Sequence, residues 1–126
     1  MIYPLLPARL HGWLDDGVVL LYLAGAYLLH LHGEQLAVAI FGASVHFALS
    51  RLTNYPQGQL KWIPFRLHAF IELGEGIIVL ACGYLMAHLD QPVAGAFLEV
   101  MGASQFGAFA FSDYRWPLPD KVSAAT

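Results

Sequence analysis

Arg9-Leu10-His11-Gly12-Trp13-Leu14-Asp15 returns 57 positions later as Arg66-Leu67-His68-Ala69-Phe70-Ile71-Glu72. Each copy opens an apolar segment with an arginine, a histidine two residues on and a carboxylate four residues beyond the histidine. On a helix that last spacing stacks the imidazole and the carboxylate on one face. The recurrence predicts a duplicated chain, with a first repeat over about 9–55 and a second over about 66–114, and it predicts that the paired His/acid stretches carry whatever chemistry there is.

Working outward, the chain of 126 residues is 58% apolar and 12% charged, where a soluble domain carries about a quarter charged residues. The apolar residues gather into four blocks, roughly 14–31, 36–50, 70–87 and 93–111, each near the length that crosses about 30 Å of hydrocarbon. Asp15, Asp16, Glu72, Glu75 and Glu99 interrupt them. The expected architecture is an all-α membrane four-helix bundle built from two parallel helical-hairpin repeats, one transmembrane domain over 1–126. A small-residue triplet falls near the middle of every block, at 24–26, 42–44, 81–83 and 102–104, where close backbone approach would drive helix association in lipid.

The basic residues sort by side. Arg9, Arg51, Lys61, Arg66, Arg115 and Lys121 all lie before block one, between blocks two and three, or after block four; the connections at 30–35 and 88–92 carry none. By the positive-inside rule both termini and the middle loop are cytoplasmic, and Trp13, Trp62 and Trp116 fall on the same side, at the level of an aromatic belt. The first block is read as a retained helix rather than a cleaved leader, since its partner lies inside the chain. The expected address is a bacterial inner (plasma) membrane, multi-pass, with the lipid bilayer as partner and a homo-oligomer or larger membrane complex open. A net charge of −3 gives no sign of nucleic-acid binding.

Punctuation refines the elements. Pro4 and Pro7 keep the approach extended, so helix one starts near Arg9 or Leu10 and runs far enough to put His11 and His30 at opposite faces; His68 and His88 do the same in the second copy. Gly33 is the expected stop of helix one, helix two spans about 35–52, and Pro92 opens helix four with Asp90 or Gln91 as cap. Pro117 and Pro119 follow helix four. A hydroxyl, amide-or-acid, tyrosine triplet is also duplicated, Thr53-Asn54-Tyr55 and Ser112-Asp113-Tyr114, and would line the cytoplasmic mouth.

With Pro7-x-Arg9-x-His11-Gly12-x-Leu14-Asp15, Leu52-Thr53-Asn54-Tyr55 with Gly58, and Ile63-Pro64-x-x-x-His68-x-x-x-Glu72, the chain resembles small bacterial four-helix membrane proteins of the SPW-repeat type. The likeness covers roughly residues 5–114. At the positions of that family's Pro-Trp pair stand Ala26-Tyr27 and Gly83-Tyr84. The resemblance implies a fold and an inner-membrane address and brings no activity with it.

The candidate site residues are His11, Asp15, Asp16, His46, His68, Glu72, Glu75 and Glu99, expected to hold or conduct a small cation, a proton first, because ionisable groups within a membrane face a bundle interior or a wet cavity. Gln105 is expected inside the bundle as well, with Phe106 as the counterpart of His46. As a metal set, His11, Asp15, His68 and Glu72 suit zinc, iron or manganese, although bundle di-metal sites use Glu-x-x-His rather than this reversed order. Haem is a further alternative, with His11/His68 or His30 or His32 with His88 as axial pairs. A non-catalytic structural or accessory subunit is the main rival. No nucleophile-and-base pattern, phosphate loop or dinucleotide fingerprint stands out, so neither an enzyme nor a bound cofactor is the first expectation.

Overall fold

The computed structural model describes residues 4–117; Pro119 and Lys121 lie outside that range. The chain is all-α apart from short extended pairings, with α1 over Ala8–Leu28, α2 over Gly33–Leu52, α3 over Phe65–His88 and α4 over Pro92–Phe111. The helices α2, α3 and α4 are long and apolar enough to cross a membrane. α1 falls short of that measure, carrying Arg9, Asp15 and Asp16 in its first half. Large apolar side chains cover the outside, among them Leu20, Leu28, Phe47, Phe70 and Val100. An apolar exterior around a buried polar interior belongs to a membrane protein.

Helix ends follow local chemistry, with one departure from expectation. α1 stops at Leu28 rather than at Gly33, because His30 takes the left-handed conformation at φ 53°. The Leu31 N–H then reaches the Ala26 carbonyl at 2.9 Å and the His30 N–H reaches Tyr27 at 3.2 Å, the double bond that closes a helix whose C′ residue is left-handed. Gly33, also at positive φ, begins α2 instead. Asp90 repeats the device after α3, with the Gln91 N–H on the Met86 carbonyl at 3.0 Å. His30 therefore lies in the turn, beyond the helix that carries His11. Pro92 sits in the first turn of α4 as expected, and Gln91 occupies the cap position without a side-chain cap bond. The start of α2 and the turn before α4 are tied by Gln35 Nε2 donating to Gln91 Oε1 at 2.9 Å.

At the other end, two extended pairings brace the helix entries. Thr53–Asn54, after α2, pairs in parallel with Ile63–Pro64, before α3, and Leu6, before α1, bridges in parallel to Ser112, after α4. Gly58 makes the first turn possible: a Cβ there would overlap the Thr53 carbonyl oxygen.

The helix pairs are packed by different means. Between α3 and α4 the backbones touch, with Gly83 against Gly95 and Gly76 against Gly102; a Cβ on Gly102 would lie 2.7 Å from the Gly76 carbonyl oxygen and 2.6 Å from the Leu80 nitrogen. Between α1 and α2 the space above Gly42 is filled by the Tyr22 ring, and Gly25 receives Phe97 from α4. Small residues thus serve direct contact in one pair and side-chain seating in the other. Gly102→Ala is expected to destabilise by about 1–3 kcal/mol through overpacking. Gly74→Ala, in open space, should be neutral or stabilising by up to about 1 kcal/mol. Thermal unfolding of both variants in one detergent checks the contrast.

Candidate functional site

His11 and His68 sit in the first turns of α1 and α3 and meet in the interior at that end of the helices, Nε2 to Nε2 at 3.2 Å. Both rings are buried, 1% and 0% exposed. Each is hydrogen-bonded from behind to a hydroxyl that follows another helix: His11 Nδ1 with Ser112 Oγ at 2.6 Å, and His68 Nδ1 with Thr53 Oγ1 at 2.8 Å. The extended pairings at Leu6/Ser112 and Thr53/Ile63 hold those hydroxyls in place. In the tautomer in which both Nδ1 atoms donate to the hydroxyls, the two Nε2 lone pairs face one another.

Two carboxylates close the group. Asp15 places Oδ1 3.3 Å from His11 Nε2 and Oδ2 3.4 Å from His68 Nε2. Glu72 Oε2 lies 3.4 Å from His11 Nε2 and 3.7 Å from His68 Nε2. One ligand atom from each of the four residues can be chosen so that all lie within 4.8 Å of one another. Phe65 packs edge-on against both imidazoles, and Tyr55 donates its hydroxyl to Asp15 Oδ2 at 2.7 Å. Burial first, and then the Asp15 carboxylate, push the Tyr55 hydroxyl up, so it remains a proton donor.

A second layer lies deeper along the helices. His46, fully buried on α2, stands between two acids, Nε2 3.8 Å from Glu72 Oε1 and Nδ1 2.7 Å from Glu75 Oε2. The shorter contact is out of line for a hydrogen bond, and neither His46 nitrogen has a hydrogen-bond partner among the described residues. Glu75 Oε1 accepts from Tyr22 at 3.3 Å and from Gln105 Nε2 at 3.3 Å. Three buried carboxylates therefore face three buried histidines.

Of the residues expected in the site, His11, Asp15, His46, His68, Glu72 and Glu75 come together. Asp16, one residue round the helix from Asp15, turns away and pairs with Arg51 at the half-exposed edge. Glu99 is on the other side of the α3/α4 pair, half-buried in a groove with Ile77, Leu80, Ala81, Tyr84 and Leu85. Gln105 is inside, 1% exposed, and Phe106 is 38% exposed. Gln105 and His46 each stand seven residues before a hydroxyl that meets an imidazole, Ser112 or Thr53. Tyr55 and Tyr114 are buried rather than lining an open mouth.

The haem alternatives do not fit. His30, His32 and His88 are exposed at the outer turns, and His88 Nδ1 is bonded to the Tyr84 carbonyl at 2.8 Å. Between His11 and His68, imidazoles with ring centroids 5.1 Å apart and acids on both leave no room for a porphyrin.

The site has a lateral approach. A cleft of about 480 Å³ between α1 and α4, walled by Leu14, Val18, Leu21, Ala108 and Phe111, reaches Asp15 and Glu72.

The contributions missed by sequence reading are Tyr22 and the orienting role of Thr53 and Ser112. The signal for the hydroxyls was present in the duplicated triplets; Tyr22 had none beyond its place opposite Gly42. In comparisons with family models, curated proteins and solved structures, nothing matches this chain.

Tyr55→Phe removes the only hydroxyl donor that bonds Asp15 among the described residues and is expected to cost about 1.5–3 kcal/mol, as for a hydrogen bond to a charged group. Tyr114→Phe, whose hydroxyl donates to the Ala108 carbonyl at a long 3.4 Å, should cost less than about 1 kcal/mol. Chemical denaturation in detergent separates the two.

Proposed function

We propose that this is an integral membrane protein that binds a divalent first-row metal ion, of the zinc type, through His11, Asp15, His68 and Glu72. One observation carries the reading: two imidazole Nε2 atoms, each pinned from behind at Nδ1, point at each other across 3.2 Å with a carboxylate on either side. Facing lone pairs repel unless a cation or proton lies between them. Zinc with ligand bonds of 2.0–2.1 Å in a tetrahedron has edges of roughly 3.3 Å. The two Nε2 atoms lie 3.2 Å apart, and each has oxygens of both carboxylates at 3.3–3.7 Å, Asp15 offering a different oxygen to each ring.

Charge supports the same assignment. Two carboxylates buried to within 2% need a compensating charge close by, and one divalent ion supplies it. The hydroxyls behind the imidazoles do what outer partners do for ligating histidines, fixing tautomer and ring plane. Holding a metal is favoured over conducting a proton, the other use expected of this cluster, because ligand atoms of His11, Asp15, His68 and Glu72 converge to within 4.8 Å of one another; the proton reading draws instead on His46 and Glu75, which extend the polar groups along the helices.

The finer architecture belongs to this proposal too. The chain is taken as four transmembrane helices in two parallel hairpin repeats, related to the SPW-repeat type, in a bacterial inner membrane with both termini cytoplasmic. Supporting it are the crossed pairings, Thr53 with His68 and Ser112 with His11, and the gathering of Arg9, Arg51, Lys61, Arg66 and Arg115 at the end that holds the site. The metal then lies near the cytoplasmic face.

Protein purified without chelator is expected to carry one zinc, iron or manganese per chain by elemental analysis, and the stripped protein to take up cobalt(II) with the intense visible bands of tetrahedral coordination. His68→Ala should abolish both. Thr53→Ala or Ser112→Ala should keep the stoichiometry while weakening affinity by about 10–100-fold. A metal-free protein whose melting temperature does not respond to zinc, iron(II), manganese or cobalt would sink the assignment, and pH-driven flux in liposomes would then put the proton reading first.

A further inference from the structure

We infer that a second, separate site at the same end of the molecule binds the phosphate of an anionic phospholipid. Between the loop before α3 and the segment after α4 lies a cleft of about 440 Å³ whose lining includes Lys61, Arg66, Arg115, Trp62 and Trp116. It shares no residue with the metal cluster.

The donors in this cleft call for an anion. Arg66 is exposed and has no ion-pair or hydrogen-bond partner among the described residues. Lys61, held at φ 53°, donates to the Tyr55 carbonyl at 3.0 Å, which leaves the other ammonium hydrogens free. Arg115 is offset by Asp113, whose carboxyl it holds below the usual range through a two-pronged contact at 2.6 and 2.7 Å. The net charge over these four groups is thus positive by two. Trp116 also lines the cleft. The start of α3 adds to this: its cap is Pro64, with no side-chain cap bond and no acid in the first turn, so its first N–H groups await an acceptor.

The walls favour a lipid over a free ion. Trp62, 72% exposed, stands at one lip as a headgroup-level anchor would. Directly along α3 from Arg66, Leu67 and Phe70 are 50% and 65% exposed on one stripe, with Phe109 against Phe70. A headgroup phosphate at Arg66 and Lys61 leaves its acyl chains on that stripe. Two basic residues near a membrane surface are worth roughly a thirtyfold preference for an anionic over a zwitterionic lipid.

The test is native mass spectrometry of the full chain offered equal phosphatidylglycerol and phosphatidylcholine. One phosphatidylglycerol should be retained per chain with roughly that preference, and Lys61→Gln combined with Arg66→Gln should bring the ratio to near unity without altering thermal unfolding. Arg9→Gln, a basic residue at the same end but outside the cleft, should leave the ratio as it was. Equal retention of the two lipids, an unchanged ratio in the double variant, or an Arg9→Gln effect as large as the double variant's would each overturn the site. Displacement of the bound lipid by millimolar inorganic phosphate would assign the cleft to a free anion instead and overturn the lipid assignment.

Discussion

The fold is organised around a meeting of buried polar groups. His11 and His68, each hydrogen-bonded at Nδ1 to a hydroxyl, bring their Nε2 atoms 3.2 Å apart in a space shared with two acids and lined by Phe65 and Tyr114. Everything at this end of the molecule serves that meeting: the parallel bridges that position the hydroxyls, the tyrosine that steadies Asp15, the glycine that lets the middle loop turn. In a low-dielectric interior such a cluster is costly when incomplete and strongly ordering when complete. The cluster joins α1 to α3, and His46 brings in α2.

The helix pairs contribute unequally. α3 and α4 touch backbone to backbone through Gly76, Gly83, Gly95 and Gly102, a contact with little room for adjustment. α1 rests on α2 through Tyr22 over Gly42 and leaves a cleft toward α4 that descends to Asp15 and Glu72. Two of the four proposed ligands ride on α3, in the rigid pair, and two on α1. The tyrosine that seats α1 also bonds Glu75, so helix packing and the polar interior share a residue.

Much of this was legible in the residues, for physical reasons. The spacing of four between His11 and Asp15, and between His68 and Glu72, fixed one shared face on each helix, and the recurrence indicated that the two faces belong together. His46 and Glu75 stood out because a titratable group deep in an apolar block needs partners. Other features were hidden. Asp16 and Glu99 looked equivalent to their neighbours because one residue of rotation, about 100° on a helix, separates a buried acid from an edge acid, and periodicity in a block apolar on every side does not give that phase. The end of α1 was misplaced because a histidine, not the nearby glycine, adopts the left-handed conformation. The Thr53 and Ser112 contacts were invisible as contacts, since nothing local says which imidazole a hydroxyl will meet.

The crossed bonding has a consequence for synthesis. Ser112 follows α4 and its partner opens α1, a separation of 101 residues; loops of that length close late. While the first helices enter the bilayer, His11 and Asp15 are present without their orienting hydroxyl and without His68 and Glu72, so the nascent half-protein has no site able to trap an ion. All four proposed ligands are present once α3 has been made, and the last helix adds only the Ser112 hydroxyl that orients His11.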